Sequence, residues 1–517
     1  MENRIVVDKA DKIGKIDPNI YGVFIENSLG RIVYDGIWVG ENSQVPNYKG
    51  MRREVIDLAK ELGPTVIRWP GGNFSSEYHW MDGVGPRTNR KTVYDLVWYQ
   101  EESNEFGTDE FAEFCRLLGG NAYLNVNFGS GTAEEAARWV EYCNGEGNTY
   151  FAKMRVSNGY QKPHKVPYWG VGNEVFGNWQ VGYTDAEDYA IRATEFVRLM
   201  RRVDPSIKVL LVGCDMRFPF GTEWNYKVLQ VLRDEFSGAG AEDVWARQAD
   251  YLTIHEYFFS VDYYTELAST VEAERDLNRI AGLIDSFALP RSPRVCVDEW
   301  NIWRREEAVS WAGKNYGLYE QKMMLQDALF AGCMLNTFQK LCNVVGMANF
   351  TSLVNSSGLI MTEKDGCYVT PSYHALKLYS TKCGEIAVKT RTECETYQAI
   401  EKSRQVHNYI TKGWTVEKVP FLDVAATLNS GETKLSITVV NRHKTDDIES
   451  TIELRDCTPL SGGKVYELNG PDPTSVNSLS EPDKVKPIEK PLRIAGPKFD
   501  YRFPSHSLTL FEISLSL

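Results

Sequence analysis

Two stretches of this chain end an apolar run on a glutamate. "YWGVGNE" (168–174) closes on Asn173 and Glu174, and "RVCVDEW" (294–300) carries Asp298 and Glu299. Paired glutamates suit the hydrolysis of an acetal: one acid protonates the departing oxygen, and one carboxylate meets the cationic carbon. In a pair that retains the configuration, the two carboxyls must lie roughly 5–5.5 Å apart. Either residue alone is as readily a structural hydrogen-bonder at a strand end. Together they carry this chemistry only if the fold brings the two stretches face to face.

The elements that could do so alternate along the chain. Eight short β-rich runs are "YGVFIE" (21–26), "TVIRWPGG" (65–72), "AYLNVNF" (122–128), "YWGVGNE", "KVLLVG" (208–213), "YLTIHEY" (251–257), "RVCVDEW" and "VVGMANF" (344–350). Between them lie amphipathic helical patterns, among them 51–63, 109–120 and 185–203. Such alternation predicts βαβ units and a parallel sheet. Eight runs in this length favour an α/β fold with a closed (β/α)₈ TIM barrel over 19–383. A doubly wound open sheet is the alternative, but no GxGxxG opens the first βα turn.

After residue 384 the runs become short, β-branched and alternating, with joints such as "LNGPDPTS". This predicts a C-terminal all-β sandwich, jelly-roll-like, over 384–517. The β-like start of the chain, 1–18, is expected to supply that sandwich with an N-terminal strand.

In a barrel of this kind the reactive groups lie at the C-terminal strand ends. Read there, the sequence gives Glu26, Asn73, Asn127, Asn173, Glu174, His255, Tyr257, Asp298, Glu299, Trp300 and Asn349. Acids and amides for hydroxyls, with aromatic faces for C–H surfaces, would suit a polyhydroxylated ligand.

Charge and composition narrow the class. A formal net charge of −13 argues against nucleic acid as the main partner. No apolar run reaches the ~18 residues of a membrane span, and "MENRIVVDKADKIG" has no signal-peptide core, so a cytoplasmic protein is expected. Ten cysteines without CxxC pairs read as reduced thiols. The seven histidines form no i, i+4 pair and no glycine loop cradles phosphate, so no metal or organic cofactor is implied.

The segments "WPGGNFSSEYHWMDGVGP" (69–86), "YLNVNFGSGTAEEAARWVEYCN" (123–144), "GNEVFGNWQVG" (172–182) and "VDEWNIW" (297–303) resemble glycoside hydrolase family 51, the intracellular α-L-arabinofuranosidases. "IYGVFIENSLGRIVYDGIWVG" (20–40) and "LVNSSGLIMTEKDG" (353–366) are similar too. The resemblance implies a barrel with a partly N-terminal sandwich, retaining exo-hydrolysis of terminal arabinofuranosyl groups from arabinan or arabinoxylan fragments, and a homo-oligomer, often a hexamer. Residue by residue it makes Glu174 the acid/base and Glu299 the nucleophile. It makes Glu26, Asn73 and Asn173 hydroxyl binders, places Tyr257 on the nucleophile and His255 beside the acid/base, and puts Trp303 and Trp179 at the substrate border.

Two departures bear on the sugar. "IENSLGR" lacks a histidine common in the family and is one residue longer before "LGR". In "NFTSLVN", Ser352 stands where many members carry a sugar-contacting glutamine. A β-xylosidase or endo-β-glucanase therefore remains the neighbouring alternative, and an idle carbohydrate-binding protein the reading from another class.

Overall fold

Eight parallel strands close on themselves in the computed structural model, which describes residues 3–234, 249–260, 262–289, 291–304, 321–406 and 409–516. They are Gly22–Phe24, Val66–Trp69, Asn121–Val126, Tyr168–Val171, Lys208–Val212, Tyr251–Ser260, Arg294–Arg304 and Val345–Thr351. Each expected run holds one strand. The sixth and seventh outrun expectation and stay paired as far as Ser260 and Arg304, forming a ribbon above the barrel rim.

The barrel interior follows from the two-residue period of a strand. Its floor is apolar: Val66, Tyr123, Leu210, Tyr251, Cys296 and Met347 pack together. Two residues further along four of these strands stand Arg68, Asn125, Asp298 and Asn349, all buried. The same period on strand six, counted from Tyr251, brings Thr253, His255 and Tyr257 inward. The core thus changes from oily floor to polar ceiling within one step of the pleat.

Strand seven breaks the period where the chemistry needs it. Its ladder to strand six runs Ile254↔Val297 and then His255↔Glu299, skipping Asp298. The register with strand eight also slips between Val297 and Trp300. A bulge of this kind re-aims side chains. Here it lets the consecutive Asp298 and Glu299 both reach Arg68 inside the barrel.

The surrounding helices match the amphipathic patterns: Arg53–Leu62, Thr108–Leu118 and Ala186–Val203. The last shows why it starts where it does. Asp185 caps it by accepting from the N–H groups of Glu187 and Asp188, and Arg201 and Arg202 sit at its negative end.

The C-terminal strands form a nine-stranded sheet that includes Arg4–Lys15, antiparallel to Ile386–Glu393 and parallel to Ile448–Arg455. Phe499, Tyr501 and Phe503 of an edge strand fold back onto Phe511, so the sheet rolls into a sandwich around its own core. The helix Leu325–Lys340 lies between the two parts and is buried along nearly its whole length. Its Asn336 donates to Asp423 and accepts from Thr438 of the sandwich. A hairpin that the sequence reading did not separate, built from Thr396–Glu401, Arg404–Val406, Tyr409–Thr411 and Trp414–Pro420, leaves the sandwich and reaches the barrel mouth. All ten cysteines are free. Among the described residues no helix is long and apolar enough to cross a membrane.

Candidate functional site

A cavity of about 200 Å³ opens at the C-terminal ends of the barrel strands. Of the ten residues tied to the family resemblance, eight line it: Glu26, Asn73, Glu174, Trp179, His255, Tyr257, Glu299 and Trp303. Asn173 lies just behind the wall. Its amide donates to Asn73 Oδ1 at 3.2 Å and its carbonyl oxygen accepts from Arg68 at 2.6 Å.

Ser352 is the exception. It is fully buried, and its Oγ lies 2.8–3.2 Å from the backbone carbonyls of Val354, Asn355 and Ser356. The hydroxyl is engaged in holding that turn and does not line the cavity. Its neighbours Thr351 and Ser356 face the cavity instead.

His255 joins the two glutamates. Its Nδ1 is 2.7 Å from Glu174 Oε1, and its Nε2 is 3.4 Å from Asp298 Oδ1 and 3.7 Å from Glu299 Oε1. Burial opposes the imidazolium, but Glu299, Glu174 and Asp298 outweigh it and push the His255 pKa well above the ordinary histidine value. Trp179 donates its indole N–H to the other oxygen of Glu174 at 2.9 Å. Glu174 itself sits at φ 44°, in the left-handed region, at the sharp turn that ends strand four.

Glu299 is held from two sides. Arg68 Nη1 donates to Oε1 at 2.5 Å, and the Tyr257 hydroxyl donates to Oε2 at 2.7 Å. Gly72 passes so close that a Cβ there would lie 2.5 Å from Glu299 Oε1, which explains a glycine in "PGGN". Burial, and then Glu299, raise the Tyr257 pKa well above its usual value, so the phenol remains a donor. Trp303 stacks edge-on to Tyr257 at 5.6 Å.

Beneath them Arg68 is the hub. Burial works against its charge, yet Asp298 and Glu299 hold the guanidinium protonated. Burial also works against the Asp298 carboxylate, but Arg68 and then His255 overcome it and depress its pKa. The rings of Phe24 and Tyr123 flank the guanidinium at 5.2 and 5.6 Å.

Glu26 has the opposite electrostatics. Its Oε1 accepts from the Phe74 N–H at 2.8 Å and the Trp98 indole at 3.0 Å. Burial, reinforced by Glu299, raises its pKa to about 8 despite those donors. At neutral pH it is chiefly a neutral acid, able to donate as well as accept. Asn73 is fixed by the amide of Gln180.

Arg68, Trp98, Gln180 and the hairpin are not among the sequence candidates. Arg68 carried a signal, being the single charge inside the apolar run "TVIRWP". Trp98 lies in a loop whose spacing says nothing. Asp215, Glu256 and Asp276 bring carboxylate oxygens within 4.8 Å of one another, but Arg217 already supplies the positive charge, pairing with Asp215 and Glu256.

Comparison with known proteins gives a consistent result. The family profile "Alpha-L-arabinofuranosidase 1 domain" matches residues 58–251, and "Alpha-L-arabinofuranosidase C-terminal domain" matches 298–507. The chain is 35% identical to "Alpha-L-arabinofuranosidase C" of Emericella nidulans, covering 97% of this chain and 95% of that one. It is 32% identical to the "Intracellular exo-alpha-(1->5)-L-arabinofuranosidase" of Halalkalibacterium halodurans, covering 87% of each. The solved structure of a thermostable GH51 α-L-arabinofuranosidase from Thermotoga petrophila superposes with a TM-score of 0.89 at 38% identity, covering 99% of this chain and 100% of that one.

Proposed function

Since the chain belongs to the α-L-arabinofuranosidases of glycoside hydrolase family 51, we propose that it releases terminal α-L-arabinofuranosyl groups from oligosaccharides by double displacement, with Glu299 as nucleophile and Glu174 as acid/base. The single observation carrying this reading is the imidazole of His255, which touches both glutamates at one cavity. A carboxylate on each side of one ring leaves both facing one small ligand.

The steps follow from the geometry. Two cations, Arg68 and His255, stand among Asp298, Glu299 and Glu174, so the site can meet a developing oxocarbenium ion with carboxylate charge already in place. Both oxygens of Glu174 are engaged in the ligand-free site, one by the Trp179 indole and one by His255. The proton for the leaving group is then a property of the Glu174–His255 pair rather than of one residue. As that proton passes to the glycosidic oxygen, Glu299 attacks the anomeric carbon and forms a glycosyl ester. Glu174 next takes a proton from water, which attacks the same carbon and frees Glu299.

Asn173, fixed by Arg68 and Asn73, reads the hydroxyl next to the anomeric centre. Glu26, as a neutral acid, serves a second hydroxyl, and Trp303 and Trp179 border the ring. The proposal extends to a homo-oligomer working in the cytoplasm. The first rests on family likeness alone and the second on the printed name of the H. halodurans relative.

The test is Glu299→Ala assayed on an aryl α-L-arabinofuranoside with and without azide. Turnover should vanish and partly return with azide, as a glycosyl azide of inverted configuration. Undiminished turnover, or stronger cleavage of xylosides than of arabinofuranosides by the wild type, would sink the reading.

A further inference from the structure

The sandwich hairpin touches the catalytic machinery. Tyr409, from its strand Tyr409–Thr411, lies edge-on to Trp179 with centroids 6.0 Å apart. The same ring meets Phe220 at 4.9 Å and Phe218 at 6.2 Å, and Phe218 lies 6.4 Å from Trp179. Phe176 closes the other side of the indole at 6.1 Å. Gly177 leaves it room, since a Cβ there would lie 2.3 Å from the Trp179 ring. Trp179 is therefore caged, and among the described residues of the cage Tyr409 is the one that comes from outside the barrel.

The hairpin is anchored where that contact requires. The Lys412 backbone N–H donates to the Arg217 carbonyl at 2.8 Å, and its Nζ to the Met216 carbonyl at 3.2 Å. The Arg404 guanidinium lies 5.1 Å from the centre of the Phe259 ring. Arg404, Lys412 and Trp414 line the same cavity as the two glutamates.

We infer that Tyr409 is a positioning residue for proton delivery to the leaving group: it holds the Trp179 indole in the orientation from which its N–H fixes the Glu174 carboxylate. The inference rests on the reading of Glu174 as the acid/base. Edge-to-face pairs favour one mutual orientation of two rings, and an indole N–H on a carboxylate is directional. Removing the Tyr409 ring takes away one wall of that cage and loosens the hold of the Trp179 N–H on Glu174, whose contact with His255 stays. Glu299 keeps both Arg68 and Tyr257, so the nucleophilic half of the reaction stays intact.

That asymmetry gives a readout that general damage would not produce. Departure of an unactivated sugar alcohol needs the proton, whereas departure of an activated nitrophenolate does not. Tyr409→Ala should lower kcat/KM on an unactivated arabinofuranosyl oligosaccharide by about five- to thirtyfold, and on the nitrophenyl glycoside by less than about threefold. Tyr409→Phe keeps the ring and should remain within about threefold on both. Trp179→Phe, which removes the indole N–H together with its five-membered ring and leaves the hairpin sequence untouched, should repeat the Tyr409→Ala pattern. If Tyr409→Ala does not fold, Tyr409→Leu fills the space without an aromatic face and takes its place.

Glu174→Ala is the control. If it shows the leaving-group dependence while the Tyr409 variants slow both substrates equally, or neither, the positioning role is overturned and the acid/base reading stands. If Glu174→Ala shows no leaving-group dependence, the acid/base reading falls and this inference falls with it.

Discussion

Replacing Glu26 by glutamine should make the protein sturdier in alkali. The residue is only 2% exposed, its carboxyl accepts from Phe74 and Trp98 on one oxygen, and its pKa is raised from 4.5 to about 8. A carboxyl raised in this way binds its proton more tightly in the native state than in the unfolded chain. Its contribution to stability is complete below about 4.5 and is lost as the pH climbs through about 8. At about 1.4 kcal/mol per pH unit, that interval is worth at most roughly 5 kcal/mol. Glutamine reproduces the neutral acid at every pH: its carbonyl accepts from Phe74 and Trp98, and its amide stands where the acid's O–H was. Denaturation midpoints of both proteins at about pH 5, 7 and 9 measure the effect. Other titrations occur in both proteins and cancel in the difference. Near pH 5 the two should agree within about 1 kcal/mol, and near pH 9 the variant should lead by several. Parallel curves, or a wild type that gains on the variant in alkali, would refute the argument that burial keeps Glu26 protonated.

Three further outcomes follow from the geometry. Tyr257→Phe deletes the hydroxyl 2.7 Å from Glu299, a bond to a charged group worth about 1.5–3 kcal/mol, so kcat/KM should fall by about 10- to 150-fold with the thermal midpoint little changed. Arg68→Met removes the closer of the two cations that Asp298 and Glu299 share, leaving His255, and should cost about 3–5 kcal/mol of stability, read by chemical denaturation. Ser352→Ala removes the tie across Val354, Asn355 and Ser356 at a cost of about 1–3 kcal/mol, while KM for the arabinofuranoside should not move, because the hydroxyl does not face the cavity.

The barrel was legible because strands buried on both faces must read as apolar runs, and because helices with polar outer faces separate them. The strand ends were legible for a related reason. An acid or amide closing an apolar run cannot be explained by packing, so Asn173, Glu174 and Glu299 stood out. The DE pair shows the limit of that logic. Strict alternation sends Asp298 and Glu299 to opposite faces, and the bulge that brings both to Arg68 is a property of the ladder with strands six and eight. Arg68 was visible as a lone charge, but its role needs three partners from other strands. Ser352 was judged by its place in the chain, whereas what decides its role is where the side chain points. The hairpin around Tyr409 alternates like any other, and no local pattern tells that it crosses to the barrel. Trp98 stayed hidden because its loop has no period at all.

The first strand of the chain has consequences for the order of assembly. Arg4–Lys15 occupies an interior place in its sheet, between partners that begin at Ile386 and Ile448. On the ribosome it emerges long before either partner and has nowhere to go. The entire barrel must be translated, and most of the sandwich after it, before Ile5 and Val7 can be covered. Until then a bare strand edge trails from a nearly finished domain, the kind of edge that recruits neighbouring chains. Folding yield in this molecule should therefore depend on how fast residues 386–455 follow the barrel out of the ribosome. A pause in translation just before them should be more harmful than one of equal length within the barrel.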